Sequence, residues 1–376
     1  MRIAVNTRLL LANRLEGIGR FKHEVLRRLV ERHPEHEFLF LFDRPFDQRF
    51  LYGANVKPLI VQPPSRHPVL WYLWFEWAIP RILRREKAEL FLSMDNYCSL
   101  STQVPTLMVT HDIAHAHYPE QVPLAARWYY QHFVPRYLRR ADALITVSDF
   151  CRKDINAQYG IDQDLIRVAC NAAHPAFIPL SEDEKQRIKE RYAGGQDYFF
   201  YLGALHPRKN IIGLMQAFDL FKAQSGAAVK LLIGGRFAWQ SGGIREAYEQ
   251  IMAKDDIEFL GYISDQDLPQ LTAAALAQTY VSLFEGFGVP IIEAMQAGVP
   301  VITSNVSSMP EVVGDAALLV DPKSQQAIAA AMQRIYNEPG LRNQLIERGL
   351  VQAQKFSWDK ATDTVEGALL ALKSAG

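Results

Sequence analysis

Four side chains carry the sharpest chemical signal in the 376-residue sequence: Arg208, Lys209, Glu285 and Glu293. Glu285 and Glu293 bracket the run Glu285-Gly286-Phe287-Gly288-Val289-Pro290-Ile291-Ile292-Glu293. Its two glycines let backbone approach a ligand closely, Pro290 is pre-set for a first helical turn, and Gly298 marks the helix end. The spacing predicts a strand, a glycine loop and a helix. The amides and positive dipole end of such a helix start favour an anion, and Glu293, about one turn in, can turn its carboxylate toward sugar hydroxyls. That chemistry fits a nucleotide-sugar cradle. Arg208 and Lys209 follow a strand in Gly203-Ala204-Leu205-His206-Pro207-Arg208-Lys209-Asn210. Together they can grip a diphosphate, Arg as a planar fork and Lys as a compact charge.

Other residues are weaker on their own. Glu16-Gly17-Ile18-Gly19-Arg20 follows the first strand and opens a helix, but lacks the third glycine of a dinucleotide site. His111-Asp112 comes directly after the strand Leu107 to Thr110, at the edge where open α/β sheets bind ligands. His115 and His117 add a possible metal set, although two cations and a helix start already supply diphosphate neutralisation, so no metal is expected. Val147-Ser148-Asp149-Phe150 reads as a helix start capped by Ser148 or Asp149. Pro68 to Arg85 places Trp71, Trp74, Phe75, Ala78 and Ile82 on one face, suited to core packing, with a membrane surface or lipid-linked acceptor as the other reading.

The elements that must position these residues alternate. Ile3 to Asn6, Phe38 to Phe42, Leu90 to Ser93, Leu107 to Thr110 and Leu144 to Ser148 read as strands between amphipathic stretches such as Arg20 to Arg32 and Trp128 to Arg140. A polar stretch with Pro175 and Pro179 follows, then a capping-box start at Ser181 and Glu184. The alternation resumes with Tyr198 to Leu202, Val229 to Gly234, Ile257 to Leu260, Thr279 to Leu283 and Val299 to Thr303. Trp358, Ala361, Val365, Leu369 and Leu372 then make one apolar helical stripe. The expected organisation is two α/β domains, residues 1–175 and 176–357, with a helix over 358–376 packing back on the first.

Composition bounds the rest. With 49% hydrophobic residues and 6 Trp, 15 Tyr and 20 Phe the chain buries ample core, which excludes disorder. Balanced charge, 41 basic against 41 acidic residues, removes the footprint of a nucleic-acid binder, though residues 1–172 carry +5 and 173–376 carry −5. Cys98, Cys151 and Cys170 form no Cys-x-x-Cys pair, which points to a reducing compartment. No signal-peptide core or spanning segment is expected.

The two glutamates around Gly-Phe-Gly, followed by Ala297-Gly298-Val299-Pro300-Val301-Ile302-Thr303-Ser304 and Pro310-Glu311-Val312, resemble retaining glycosyltransferases of family 4. The resemblance implies a GT-B fold, two Rossmann-like domains facing across a cleft, with the donor in the second and the acceptor in the first. It places Glu285 at the transferred sugar, Glu293 on the ribose, Arg208 and Lys209 on the diphosphate, and His111 near donor sugar and acceptor. It also brings Gly17 and Gly19 toward the donor, Tyr262 and Ile263 to the base, and Gly286, Phe287, Gly288 and Val289 to the nucleotide sugar. Val281-Ser282-Leu283-Phe284-Glu285 departs from the family's Pro-Ser-x-x-Glu by losing the proline.

The implied activity is metal-independent hexosyl transfer, with retention, to a glycan or lipid-linked acceptor in polysaccharide or lipopolysaccharide assembly. The nucleoside-diphosphate sugar is a co-substrate and no cofactor is expected. GDP-mannose is favoured because Ser304-Asn305-Val306-Ser307-Ser308-Met309-Pro310-Glu311 looks like mannosyltransferase relatives, and UDP-sugars follow. The implied setting is the cytoplasm, with peripheral contact at the inner membrane face as an open alternative. A nucleotide-sugar epimerase, a carboxylate-pair glycoside hydrolase and a non-turning-over binding protein are the competing readings.

Overall fold

The computed structural model describes residues 1–11, 15, 17–236 and 242–375. Glu16, which opens the first glycine loop in sequence, lies outside them.

Two compact units form, Met1–Asn171 with Ser357–Gly376, and Ala172–Phe356. The division falls at Asn171/Ala172, ahead of residue 175, because the stretch after it is tied into the second unit. Gln296 Nε2 donates to the carbonyls of His174 and Phe177 at 2.9 and 3.0 Å. Ser357 goes with the final helix, whose first turn it serves by accepting at its Oγ from the Lys360 amide at 3.2 Å.

The first unit is built on β1 (Arg2–Asn6), β2 (Glu37–Phe42), β3 (Val56–Ile60), β4 (Leu90–Ser93), β5 (Thr106–Thr110), β6 (Ala143–Thr146) and β7 (Ile166–Val168). They form one parallel sheet in the order β3-β2-β1-β4-β5-β6-β7. The second is built on β8 (Asp197–Leu202), β9 (Val229–Gly234), β10 (Ile257–Gly261), β11 (Ala277–Tyr280), β12 (Val301–Ser304) and β13 (Leu318–Val320). Its order is β10-β9-β8-β11-β12-β13, again parallel. Central strands such as Phe38–Phe42 are buried along their length, as a sheet covered by helices on both faces requires. In each sheet the chain order reverses once, between β1 and β4 and between β8 and β11. Such a switch point opens a crevice at the carboxyl ends of the strands.

Three edge strands, β3, β7 and β13, escape the sequence pattern. Two are three residues long, and β3 contains Pro58, which a sheet tolerates only at its margin. Two predicted strands end early. β6 stops at Thr146 because Ser148 is needed as an N-cap, its Oγ accepting from Cys151 N at 3.1 Å. β11 stops at Tyr280 because the following residues turn into the site.

The tract Pro68–Arg85 is helical throughout, with a π turn at Trp74–Ala78. Pro80 has no amide to give Glu76, and the wider turn absorbs that loss. Trp74, Phe75, Ala78 and Ile82 enter the core as expected, while Trp71 is partly buried against Tyr130, ring centroids 5.8 Å apart. The predicted stripe of the helix Trp358–Ala375 buries Trp358, Ala361, Val365 and Leu369. It lies against the helix Ile18–Arg32, where Phe21 meets Trp358 edge-on and Arg32 pairs with Asp359 and Asp363 at 2.7 Å each. At the second unit's start, Ser181 and Glu184 form the capping box that their spacing predicts.

Candidate functional site

In the second unit the chemistry gathers at the switch point between β8 and β11. After β8 the chain makes a single 3-10 turn, Pro207–Lys209, capped by His206, whose Nδ1 accepts from Arg208 N at 3.3 Å. Asn210 then adopts the left-handed region at φ 58° and donates to the carbonyls of Val281 and Pro322 at 3.0 and 2.7 Å. Leu283 N donates to Arg208 O at 2.9 Å, so the loops after the two strands are laced together. This sets Arg208 and Lys209 opposite Glu285.

Glu285 is 6% exposed and receives both cations: Lys209 Nζ at 2.5 Å and Arg208 Nη1 at 3.2 Å. Tyr280 joins them, accepting from Lys209 at 2.8 Å and donating to Glu285 at 3.1 Å. Burial alone would raise the Glu285 carboxyl. Lys209 and Arg208 outweigh it and hold the group down to about 2, so it is ionised at any physiological pH. Arg208 and Lys209 bring positive charge to a position that is not sealed. Arg208 and Lys209 keep 19% and 13% of their side-chain surface in solvent. An incoming dianion would meet that charge without first breaking a closed core.

The glycine loop lies on the same feature. Ser307 Oγ accepts from Glu285 N, and Ser308 Oγ donates to the carbonyls of Glu285 and Phe287 at 2.9 and 3.1 Å. Gly288 sits at φ 100°, where a Cβ would stand 2.9 Å from Ile291 Cδ1, so glycine is required. The helix Val289–Gln296 begins there without a side-chain cap on Gly288, and Glu293 is buried within it. Tyr262 and Ile263 lie at the end of β10, two strands from β8 on the same carboxyl edge. Tyr262 is half exposed under the Arg236 guanidinium at 4.4 Å.

Gly17, Gly19 and His111 belong to the first unit. Gly17, at φ 43°, starts the helix Ile18–Arg32, and Gly19 is buried in its first turn. His111 follows β5 and is 8% exposed, with Phe21 packed edge-on at 5.1 Å. Burial lowers its imidazole to about 4. Its Nε2 lies 3.1 Å from the Met94 carbonyl, which can only accept. Nε2 therefore carries the proton and Nδ1 the lone pair. The remaining histidines of this stretch serve local partners: His117 contacts Asp154 at 2.9 Å and His115 contacts the Tyr159 hydroxyl at 3.2 Å.

Sequence reasoning missed a second ionic cluster at the other switch point, between β1 and β4. Asp95 Oδ2 accepts from Arg8 Nε at 2.7 Å and Lys22 Nζ at 3.1 Å, while Oδ1 accepts from Asn6 at 2.7 Å. Lys22 and Asp95 have no exposed surface. Burial lowers the Lys22 ammonium to about 8 against the pull of Asp95. Arg8, Lys22 and Asp95 are far apart in sequence, and no local motif joins them. Tyr280, Asn210, Ser307 and Ser308 were missed for a simpler reason, since each acts through a contact made by tertiary folding.

Residues 182–351 match the family model described as glycosyl transferases group 1, and residues 15–177 match that described as Glycosyltransferase Family 4. O-antigen chain mannosyltransferase B of Escherichia coli is 34% identical over 368 residues, covering 93% of this chain and 94% of that protein. O-antigen chain mannosyltransferase RfbU of Salmonella typhimurium is 27% identical over 297 residues, covering 77% and 78%. Among solved structures, Anabaena HepE in complex with UDP and glucose has a TM-score of 0.77 at 17% identity, covering 98% and 99%. WaaG, a glycosyltransferase involved in lipopolysaccharide biosynthesis, has a TM-score of 0.75 at 15% identity, covering 96% and 99%. With two Rossmann-like units of the GT-B kind and both family models matched, the chain belongs to the family 4 glycosyltransferases.

Proposed function

We propose that the chain is a retaining mannosyltransferase that uses GDP-mannose, with a UDP-sugar as the second choice of donor, to extend a glycan or lipid-linked acceptor in O-antigen assembly. The names of its 34% and 27% identical relatives support the sugar and the setting. The observation that carries the chemistry is the Glu285 carboxylate held between Lys209 and Arg208.

In the proposed reaction the bond between the sugar C1 and the β-phosphate oxygen breaks, its electron pair leaving with the diphosphate. The acceptor hydroxyl oxygen bonds to C1 on the same face, and its proton passes to the departing phosphate oxygen. Negative charge therefore grows on the leaving group in the transition state. Arg208 and Lys209 stabilise that charge from fixed positions, and the helix start at Gly288 adds its amides and dipole. Because these groups already oppose the departing charge, the reading requires no metal. Glu285 keeps the cations in place before the donor arrives and lies at the transferred sugar once it is bound. Neutral His111, with Nδ1 as acceptor, is suited to a sugar hydroxyl.

The hydrolase alternative needs one of its two carboxyls protonated and leaves the Arg208–Lys209 pair without a task. Incubation with GDP-mannose and a mannose-terminated acceptor, in the presence of a chelator, is expected to give an α-linked product and GDP. Product formed without acceptor would favour an epimerase, and a β-linkage would refute retention.

A further inference from the structure

At the amino edge of the first sheet, away from the crevice, two histidines and a glutamate converge on one point. The helix Ile18–Arg32 ends at His33, and Pro34, Glu35 and His36 lead into β2. That turn is held firmly. His36 N donates to His33 O at 3.1 Å, and Asn55 Nδ2 reaches the carbonyls of Val30, His33 and His36 at 3.3, 3.0 and 3.1 Å. The His33 and His36 rings stack on the turn with centroids 5.0 Å apart, both largely covered. Glu35 is exposed and folds back over them, with its Oε1 3.1 Å from His33 Nδ1 and 3.3 Å from His36 Nδ1.

The second nitrogen of His33 fixes the roles of these atoms. Nε2 lies 3.0 Å from Glu366 Oε1 of the final helix, and a carboxylate only accepts, so Nε2 carries a proton. In the neutral ring Nδ1 is then a lone pair facing a carboxylate oxygen, and His36 Nδ1 faces that same oxygen. Two protons would bridge these gaps at the cost of an imidazolium stacked on a second ring, whereas one metal ion bridges both. Imidazole nitrogens and carboxylate oxygens bind zinc at about 2.0–2.2 Å, which in a tetrahedron sets the donor atoms roughly 3.3–3.6 Å apart. Here one donor atom from each residue lies within 4.8 Å of the other two, and the two distances to Glu35 are close to that spacing. Glu366 stands where the carboxylate behind a metal-bound imidazole stands. The carbonyl end of the helix also favours a cation, and Arg32 beside it is already paired with Asp359, Asp363 and Glu366. Met1 N lies 3.4 Å from His36 Nδ1, a contact that an entering ion must replace.

We propose that His33, Glu35 and His36 form a binding site for a divalent transition-metal ion of zinc's class, with water in the fourth position and Glu366 orienting His33. Nitrogen and oxygen donors of this kind suit zinc better than calcium or magnesium, which prefer oxygen alone. Because His33 ends one helix and Glu366 belongs to another, the ion ties the loop before β2 to the final helix. It takes no part in sugar transfer. His33 stands at the far end of the 15-residue helix from Gly17, roughly 22 Å along the axis. The site is therefore independent of the donor reading.

Calorimetric titration of the untagged, chelator-treated full chain with zinc chloride tests the site, with cobalt(II) chloride as the spectroscopic probe. One equivalent of zinc is expected to bind with micromolar affinity and to raise Tm by mass action. Cobalt should give the intense visible absorption of a tetrahedral centre. His33→Gln/His36→Gln should weaken zinc binding more than about 100-fold, and Glu366→Ala about 10- to 100-fold, as loss of an outer-shell partner does. Glu35→Gln changes an exposed side chain, so it should weaken binding at least about tenfold while the metal-free melt stays unaltered. This variant decides the matter if the double histidine variant fails to fold. Absence of saturable zinc binding would mean that protons alone bridge the three donors, and would overturn the site. Zinc affinity unchanged in any of the variants, or the pale spectrum of octahedral cobalt, would overturn it equally.

Discussion

Each unit holds one buried carboxylate between two cations at its switch point, yet the two clusters are finished differently. Asp95, Arg8 and Lys22 are closed in, with Lys22 and Asp95 at zero exposure and Arg8 at 6%. Arg8 also lies 4.2 Å over the Tyr97 ring, so its remaining face is covered. Glu285, Arg208 and Lys209 share the same pattern with their cations still reaching solvent. A sealed ionic cluster fixes where the ends of β1 and β4 lie, whereas an open one keeps charge available for a ligand.

That contrast makes opposite mutants informative. Asp95→Ala strands two cations in the core and is expected to cost about 3–5 kcal/mol in urea unfolding. A loss below about 1 kcal/mol would show that water already reaches the cluster. Arg208→Ala should do the reverse, lowering kcat roughly 100- to 1,000-fold while shifting Tm little. Full activity in this variant would remove Arg208 from the leaving-group role.

The pH dependence separates the clusters further. Lys22 sits near 8 when folded, below the ordinary lysine value of about 10.5, so the unfolded chain binds more protons between them. Its contribution to stability therefore rises as pH climbs from about 8 to about 10.5, and Lys22→Met should flatten that rise. Glu285 is held near 2 against an ordinary value of about 4.5. Its contribution is present above about 4.5 and is lost as pH falls toward 2, and Glu285→Gln should blunt that loss. Denaturant midpoints across both windows check the signs. The smallest effect is expected at Ser148, where loss of the cap in Ser148→Ala should cost about 1 kcal/mol without changing donor affinity.

The clusters also show why one was legible in the sequence and the other was not. Arg208 and Lys209 are adjacent, and Glu285 stands inside a glycine loop whose spacing is chemical in itself. Asp95 has no such neighbours: Arg8 and Lys22 reach it only because β1 pairs with β4. Central strands were readable because burial on both faces leaves long apolar runs. Edge strands such as Ile166–Val168 bury too little to leave one. In Pro68–Arg85 the apolar pattern revealed the helix and the core face. Which other apolar residues remain outside depends on the elements packed against it, so Trp77 could not be assigned in advance.

Calorimetric titration with GDP and GMP tests the central claim, that the open cluster grips a diphosphate. The wild-type chain should bind GDP at least tenfold more tightly than GMP, and Arg208→Ala/Lys209→Ala should erase that difference. Undiminished preference for GDP in the double variant would contradict the claim.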